Sequence, residues 1–236
     1  MNTQTNMANM NKSHGFLEIF VGPMFSGKTS KLLEIHKQCT FCSIPVCVIN
    51  HCDDTRYHDS LMSSHDKVMI PCIQTNLISN IWNYQHQLDE NYDKQCDDHM
   101  KMRSAEVILI NEAQFFDDLY ETVVDMLKEK KQVYISGLDG DFERKKFGRI
   151  LDLIPLCDKI TKLKSLCSLC KNGTSGIFSL RLSPEKVQTL IGSDNYIPVC
   201  RKCYETHLTI ENEESDNDIV HNHNESDTLS AKIAWT

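Results

Sequence analysis

The residues in this chain with the clearest chemical signature form a glycine-rich loop that ends in a lysine and a threonine. Residues 22–29 read G-P-M-F-S-G-K-T and match the phosphate-binding pattern G-x-x-x-x-G-K-S/T at every fixed position. In such loops, backbone N–H groups surround the phosphates, the lysine reaches the β- and γ-phosphates, and the hydroxyl can hold Mg²⁺. The residues predicted to bind a nucleoside triphosphate are Gly22, Pro23, Met24, Phe25, Ser26, Gly27, Lys28 and Thr29, with Thr29 also a magnesium ligand.

A second polar group follows the most apolar segment of the chain. Residues 105–110 read A-E-V-I-L-I, a buried strand, and Asn111 and Glu112 come directly after it. P-loop enzymes usually place an aspartate here to complete the Mg²⁺ site. The amide oxygen of Asn111 can accept a hydrogen bond from a metal-bound water, but it carries no charge. Glu112 could deprotonate or orient an attacking hydroxyl; the alternative is a solvated loop residue.

Aromatic and basic residues near these segments leave two interpretations open. Four phenylalanines could line a slot for a planar ring, although aromatic side chains more often belong to the core: Phe115, Phe116, Phe142 and Phe147. Arg56 and Arg144 could neutralise the charge of a phosphoryl group during transfer, or they could be ordinary surface cations.

Two C-x-x-C pairs separated by 29 residues predict a metal centre near the end of the chain. Four thiolates at this spacing suit a closed, tetrahedral, structural zinc site, with disulfides or unligated thiols as the alternatives: Cys167, Cys170, Cys200 and Cys203. Residues 1–14 are polar and lack a hydrophobic signal segment, so we expect a reducing, intracellular compartment that favours zinc. A third pair, Cys39 and Cys42, has no partner pair, and packing or chance accounts for it better.

Strands that alternate with helices must position these groups. Apolar runs predict strands at 16–21, 45–49, 68–70, 105–110 and 132–136, and helices at 30–37, 76–88 and 118–130. This alternation indicates an α/β fold with a doubly wound parallel sheet, which binds ligands at the carboxyl ends of its strands. Residues 176–182 and 185–191 can add two strands to a small β-ribbon zinc domain.

Length and charge set the remaining expectations. We expect an extension without order at 1–14 and a P-loop α/β domain at 15–160, with a surface insertion or mobile loop at 89–104. A zinc-ribbon domain should follow at 161–208, and an acidic tail without order at 209–236. The net charge is −8, and the tail holds seven acidic residues against one lysine, so no basic excess points to a nucleic-acid partner. No apolar run has the length of a membrane span, so we expect no membrane partner and a cytoplasmic location.

Six motifs in order resemble the type II thymidine kinase family, the cytosolic and poxviral type. They are G-P-M-F-S-G-K-T at 22–29, D-T-R-Y at 54–57, E-A-Q-F-F at 112–116, L-D-G-x-F-x-R-K-x-F at 138–147, the two cysteine pairs, and Tyr196 before V-C-R-K-C-Y at 199–204. The resemblance covers about residues 16–204. It implies an ATP-dependent enzyme that phosphorylates the 5′-hydroxyl of thymidine and gives dTMP.

The resemblance also implies roles for individual residues. Glu112 corresponds to the general base, and the four cysteines correspond to the zinc ligands. Residues implied beside ATP are Asp54, Thr55, Arg56, Asn111, Glu112, Ala113 and Gln114. Residues implied around the nucleoside are Met24, Phe115, Leu138, Phe142, Phe147, Gln188, Thr189, Leu190, Ile191, Gly192 and Tyr196. Further implications are Mg²⁺ as a cofactor, a homotetramer, feedback binding of dTTP, and the host cytoplasm if the protein is viral.

Two departures from the family pattern and two rival functions complete the sequence evidence. Asn111 replaces the usual aspartate, which predicts weaker Mg²⁺ binding, and the run from Ile191 to Tyr196 is one residue shorter than usual. One rival is a helicase-like or motor ATPase, because N-E-A-Q at 111–114 resembles the acidic strand-end motif of such enzymes. Those enzymes need a second nucleotide-binding core or a basic track. The other rival is a zinc-ribbon module that only senses nucleotide.

Overall fold

A twisted sheet of six parallel strands forms the centre of the protein. The structure, a computed structural model, describes residues 13–52, 61–63, 69–84, 94–185, 187–188 and 195–207. The strands are β1 Phe16–Val21, β2 Val46–His51, β3 Leu61–Ser63, β4 Met69–Pro71, β5 Ile73–Thr75, β6 Val107–Ile110, β7 Gln132–Gly137, β8 Lys159–Lys162, β9 Ser165–Leu166, β10 Ser175–Gly176, β11 Phe178–Arg181 and β12 Tyr196–Val199. The central sheet has the order β5-β2-β6-β7-β1-β8, and all its neighbouring pairs are parallel.

Helices cover the sheet on both faces. They are α1 Lys28–Phe41, α2 Ser79–Trp82, α3 Lys94–Ser104 and α4 Leu119–Lys128, with 3-10 helices at Ala113–Phe115 and Ile150–Leu156. Alternate residues of the strands point to opposite faces, which separates two apolar clusters. Leu109 packs with Leu32 and Leu33 of α1 in one cluster, whereas Ile108 packs with Leu119 of α4 in the other. The predicted doubly wound fold class is therefore confirmed.

Continuous apolar runs explain why the central strands lie inside. All four residues of β6 are buried, as a strand covered on both faces requires. The exception is Glu18 in β1, which is fully buried and lies 2.7 Å from the half-exposed Lys159 of β8. The Lys159 cation of the edge strand β8 pairs with the Glu18 carboxylate. A charged side chain can therefore be buried in β1, whose other residues are apolar.

Three predicted elements differ from the structure. The strand expected at 68–70 is β4, which pairs antiparallel with β3 outside the central sheet. The helix expected at 76–88 is described only as the four residues of α2, and residues 85–88 lie outside the described part. Within 89–104, where we expected a surface loop, residues 94–104 form α3, because the fully buried Met102 anchors an otherwise polar helix to the core.

The cysteine-bearing segment forms a small ribbon of short antiparallel strands. β9 pairs with β10, and β11 pairs with β12. The strand that pairs with β11 is Tyr196–Val199. Of the predicted strand 185–191, residues 185, 187 and 188 are described; they lie in no strand, and their three carbonyls accept hydrogen bonds from an arginine described below. β8 ends at Lys162, so the central sheet extends past the expected boundary at residue 160. Residues 1–12, 186, 189–194 and 208, and all of 209–236, lie outside the described residues.

No helix in the described part of the chain is both long and apolar enough to cross a membrane.

Candidate active site

Three neighbouring strand ends bring the predicted site residues together. β7 lies between β6 and β1 in the sheet, with Ile110 paired to Ile135 and Val21 paired to Gly137. The phosphate loop follows β1, residues 111–114 follow β6, and Leu138 follows β7. Because the strands are parallel, all three segments leave the same edge of the sheet.

The phosphate loop has the backbone that its glycines predict. Gly22 has φ +150°, and a Cβ there would lie 2.5 Å from the carbonyl oxygen of Leu163, so a side chain is excluded. Gly27, with φ +83°, takes the left-handed conformation directly before α1. The buried Lys28 donates from Nζ to the Pro23 carbonyl oxygen at 2.7 Å. Ser26 Oγ is buried and has no hydrogen-bond partner within the described residues, as expected of a hydroxyl whose partner is a bound ligand.

Asn111 is the centre of an uncharged hydrogen-bond network beside this loop. Its Oδ1 accepts from Thr29 Oγ1 at 3.3 Å and from Ser136 Oγ at 2.8 Å. Its Nδ2 donates to Asn50 Oδ1 at 3.0 Å. Asn50, Asn111 and Ser136 are almost fully buried. The predicted magnesium ligand Thr29 is therefore in contact with the residue that replaces the usual aspartate.

Glu112 is held in an unusual backbone conformation by its neighbour Gln114. Glu112 has φ +49° and ψ +42°, a left-handed conformation that a non-glycine residue adopts at some cost. Gln114 Nε2 donates to Glu112 Oε2 at 2.7 Å, and Gln114 Oε1 accepts from the Leu138 N–H at 2.9 Å. Glu112 and Gln114 are buried, and Ala113 between them is fully buried. The Gln114 amide thus links a carboxylate after β6 to the backbone after β7.

The four phenylalanines separate into different environments. Phe116 is fully buried and belongs to the core. Phe115 and Phe147 pack edge to face with ring centroids 5.5 Å apart. Phe142 is half-buried, and a guanidinium from the ribbon covers one face of its ring. Phe115 and Phe142 are therefore partly exposed, whereas Phe147 is buried beside Phe115 and Phe116 lies in the core.

Contacts between the ribbon and the sheet edge bring nucleoside candidates to the phosphate loop. The Met24 N–H donates to Ser179 Oγ of β11 at 3.0 Å. Gln188 Nε2 donates to Asp141 Oδ2 at 2.7 Å, which attaches residue 188 to the loop that carries Phe142. Thr189, Leu190, Ile191 and Gly192 lie outside the described residues, as do Asp54, Thr55 and Arg56.

Arg144 does not face the phosphate loop. Its guanidinium lies 4.4 Å from the ring centroid of Tyr204 and 5.5 Å from that of Phe178. The Tyr204 hydroxyl in turn donates to the Phe142 carbonyl oxygen. Arg144 is exposed and joins the ribbon to the loop at 138–147, which agrees with the interpretation of this residue as a surface cation.

The four predicted zinc ligands form one cluster. Their sulfur atoms all lie within 4.8 Å of one another, with Cys170 Sγ 3.7 Å from Cys200 Sγ and 3.4 Å from Cys203 Sγ. A tetrahedral ion with Zn–S bonds of about 2.3 Å places its sulfurs roughly 3.8 Å apart, so the cluster fits zinc. Burial disfavours the thiolate of Cys167, but the N–H groups of Cys170 and Cys200 outweigh it and lower the pKa of this thiol.

Sequence reasoning missed several residues of the site: Asn50, Ser136, Asp141, Ser179 and Arg181. Asn50 and Ser136 could have been found as polar residues at the ends of apolar strands. Ser179 and Arg181 stand two positions apart in a short strand, and a strand residue spacing of two places side chains on one face. No local pattern distinguishes Asp141 from the other charged residues around it.

The fold and the site define the class of protein: a P-loop nucleoside-triphosphate-binding protein with a carboxylate at the same sheet edge and a four-cysteine ribbon. Comparison with known proteins narrows this class. A family profile described as thymidine kinase matches residues 15–204. Thymidine kinase of Oryza sativa subsp. japonica is 39% identical over 194 residues, which cover 80% of this chain and 66% of the rice protein.

Relatives from other sources agree. Thymidine kinase of Sheeppox virus (strain KS-1) is 34% identical over 192 residues, which cover 81% of this chain and 97% of the viral protein. Cytosolic thymidine kinase of Bos taurus is 33% identical over 194 residues, covering 82% of this chain and 73% of the bovine protein. The chain belongs to the thymidine kinase family. This membership confirms the resemblance, the predicted kinase function and the use of ATP and thymidine, and it disfavours the motor and sensor alternatives.

Proposed function

We propose that this protein transfers the γ-phosphoryl group of ATP to the 5′-hydroxyl of thymidine, with Glu112 as the general base. The observation that carries the assignment is the hydrogen bond of 2.7 Å from the Gln114 amide to Glu112 Oε2, at the sheet edge where the phosphate loop also lies. A carboxylate that is buried, oriented by a second side chain and placed at this sheet edge can accept a proton from a substrate hydroxyl. Family membership supplies the substrate pair.

The phosphate loop is proposed to bind ATP through residues 22–29. Lys28 Nζ, which now donates to a carbonyl of its own loop, would donate to phosphate oxygens instead. The unpartnered hydroxyl of Ser26 and the N–H groups at the start of α1 would take further oxygens. Asp54, Thr55 and Arg56 are proposed beside the nucleotide from the family resemblance, as are Asn111, Ala113 and Gln114.

In the proposed reaction the 5′-hydroxyl of thymidine gives its proton to the Glu112 carboxylate. The hydroxyl oxygen forms the new bond to the γ-phosphorus, the bond from that phosphorus to the bridging oxygen breaks, and ADP leaves with the bond's electron pair. Proximity and orientation supply much of the rate in phosphoryl transfer. Gln114 contributes by fixing the position of the base, and Lys28 contributes by neutralising charge on the phosphates.

Magnesium is proposed to bind beside Thr29 and Asn111. Hydroxyl and amide oxygens suit a hard cation that retains several waters, so the residues present fit Mg²⁺. When bound, Mg²⁺ neutralises charge on the β- and γ-phosphates. Asn111 Oδ1, which also accepts from Ser136 Oγ, holds the Thr29 hydroxyl in place without adding a negative charge.

The nucleoside is proposed to lie between the sheet edge and the ribbon. The residues proposed around it are Met24, Phe115, Leu138, Phe142, Phe147, Tyr196 and 188–192. The Met24–Ser179 and Gln188–Asp141 hydrogen bonds, which close the ribbon onto the sheet edge, support this location.

The remaining expectations are proposals that rest on family membership. We propose one structural zinc ion at Cys167, Cys170, Cys200 and Cys203, a homotetramer, feedback binding of dTTP, and a cytoplasmic location. We also propose the division into a kinase domain and a zinc-ribbon domain near residue 160, with a surface insertion at 89–104.

A coupled assay of ADP release, run with and without thymidine, tests the proposed function. We expect turnover that depends on thymidine and yields dTMP, and we expect single-stranded DNA and RNA to have no effect. Lys28→Met should abolish turnover, and Lys37→Met at the exposed side of α1 serves as the matched control. ADP release that is independent of thymidine and stimulated by nucleic acid would contradict the proposal.

A further inference from the structure

Arg181 is a buried arginine on β11 whose donors are all engaged. Its side chain is about 4% exposed. Nε donates to the Tyr196 hydroxyl at 3.1 Å, and Nη2 donates to the same hydroxyl and to the Gln188 carbonyl oxygen at 3.0 Å. Nη1 donates to the carbonyl oxygens of Glu185 and Val187. A guanidinium has five N–H donors, and here these five contacts use all of them.

The flat face of the same guanidinium covers Phe142. The Arg181 Cζ atom lies 3.7 Å from the centroid of the Phe142 ring, the shortest distance expected for a stacked cation and ring. Arg181 belongs to the ribbon, whereas Phe142 belongs to the loop after β7. One side chain therefore fixes the position of an aromatic ring and of the backbone at residues 185, 187 and 188 relative to each other.

This arrangement excludes a phosphate-binding role for Arg181. An arginine that binds a transferring phosphoryl group needs N–H donors that face the substrate. Those of Arg181 are already satisfied by three loop carbonyls and one phenol.

We propose that Arg181 is a positioning residue that fixes Gln188 and the Phe142 ring before the substrate arrives. The inference rests on the proposed function, because it assumes that Gln188 and Phe142 bind thymidine. Binding groups that are already in position lose less conformational entropy when the ligand binds. Without the guanidinium, three carbonyls lose their common donor and the Phe142 ring loses the group stacked on it.

The test is Arg181→Lys, which keeps the charge but replaces a planar group with five donors by a point charge with three. We expect the KM for thymidine to rise at least tenfold, while the KM for ATP changes less than about twofold and kcat less than about threefold. Arg149→Lys is the matched control, because Arg149 is half-exposed and pairs with Glu121 on the surface. The control should leave both KM values unchanged.

A second variant and a structural readout separate positioning from general loss of stability. Tyr196→Phe keeps the ring but removes the oxygen that accepts two of the Arg181 N–H groups, so we expect a smaller rise in the KM for thymidine. Tryptic cleavage after Lys186 should be slow in the wild-type enzyme without thymidine and fast in Arg181→Lys. Zinc content should remain unchanged in both variants.

Three outcomes would overturn the inference: an unchanged KM for thymidine in Arg181→Lys, an equal rise in both KM values, or fast cleavage after Lys186 in the wild type. Failure of the proposed function has a different signature. In that case the wild-type enzyme itself would show no thymidine-dependent release of ADP.

Discussion

Gln114→Glu tests whether the position of Glu112 limits the reaction. The substitution keeps the size of the side chain and the oxygen that accepts from the Leu138 N–H at 2.9 Å. It replaces the donor at 2.7 Å from Glu112 Oε2 with a second carboxylate oxygen. Only the contact with the proposed base changes from attraction to repulsion.

The magnitude follows from the distance and the burial. Two unit charges about 4 Å apart repel by about 4 kcal/mol at an effective dielectric constant of 20. The pair can relieve this cost if one carboxyl holds a proton or if Glu112 moves away. A displacement of about 1 Å costs roughly 100-fold in rate. We therefore expect kcat to fall about 100-fold.

The assay is thymidine-dependent ADP release at saturating concentrations of both substrates, with the KM for ATP measured in parallel. The KM for ATP should change by a smaller factor than kcat, because Gln114 is only one of the residues proposed beside the nucleotide and the phosphate loop itself is unaltered. Gln95→Glu makes the same chemical change at an exposed position of α3 and should have no effect. If Gln114→Glu keeps kcat within about threefold of the wild type, the positioning argument is wrong.

Three further substitutions test the rest of the site. Glu112→Gln should lower kcat by roughly 100-fold or more and leave ATP binding intact in a fluorescent-nucleotide displacement assay, because it removes the base and keeps the shape; near-normal turnover would exclude this role. Asn111→Asp should lower the Mg²⁺ concentration needed for half the maximal rate. The Asn50 amide, which now accepts from Asn111, would have to turn its donor toward the new carboxylate. An unchanged Mg²⁺ requirement would show that residue 111 does not assist the metal. Metal analysis should find about one zinc per chain. Cys203→Ser should lower both the zinc content and the melting temperature, whereas Cys42→Ser, at an exposed thiol, should change neither. A folded, active, metal-free protein would contradict the zinc assignment.

Local patterns were enough to predict the parts of the site that depend on neighbouring residues. The phosphate loop was predicted from eight consecutive residues, because its glycines and the start of α1 follow each other in sequence. Glu112 was recognised because the apolar run of β6 must end at the sheet edge. The cysteine cluster needed only two short spacings, since four thiols at such spacings have few other uses.

The parts that were not predicted depend on contacts between distant segments. The partners of Arg181 are mainly backbone carbonyls, and these carry no signature in the sequence. The Gln114 amide can orient Glu112 because the Leu138 N–H fixes its other end, and Leu138 comes close only when β6 and β7 pair. The helix α3 is attached to the core by one buried methionine, Met102. A single apolar residue gives no helical hydrophobic periodicity, so the sequence predicts a loop there.

The antiparallel pair of β11 and β12 carries the cysteine cluster at one end and the nucleoside loop at the other. Phe178 pairs with Val199 next to Cys200, and Arg181 pairs with Tyr196 where the loop begins and ends. On the proposed function, the metal site and the nucleoside site therefore lie at the two ends of one pair of hydrogen-bonded strands, and we expect the two binding free energies to be thermodynamically linked. Such linkage is reciprocal. Bound thymidine should raise the affinity for zinc, measured by competition with a chelator, by the same factor by which bound zinc raises the affinity for thymidine.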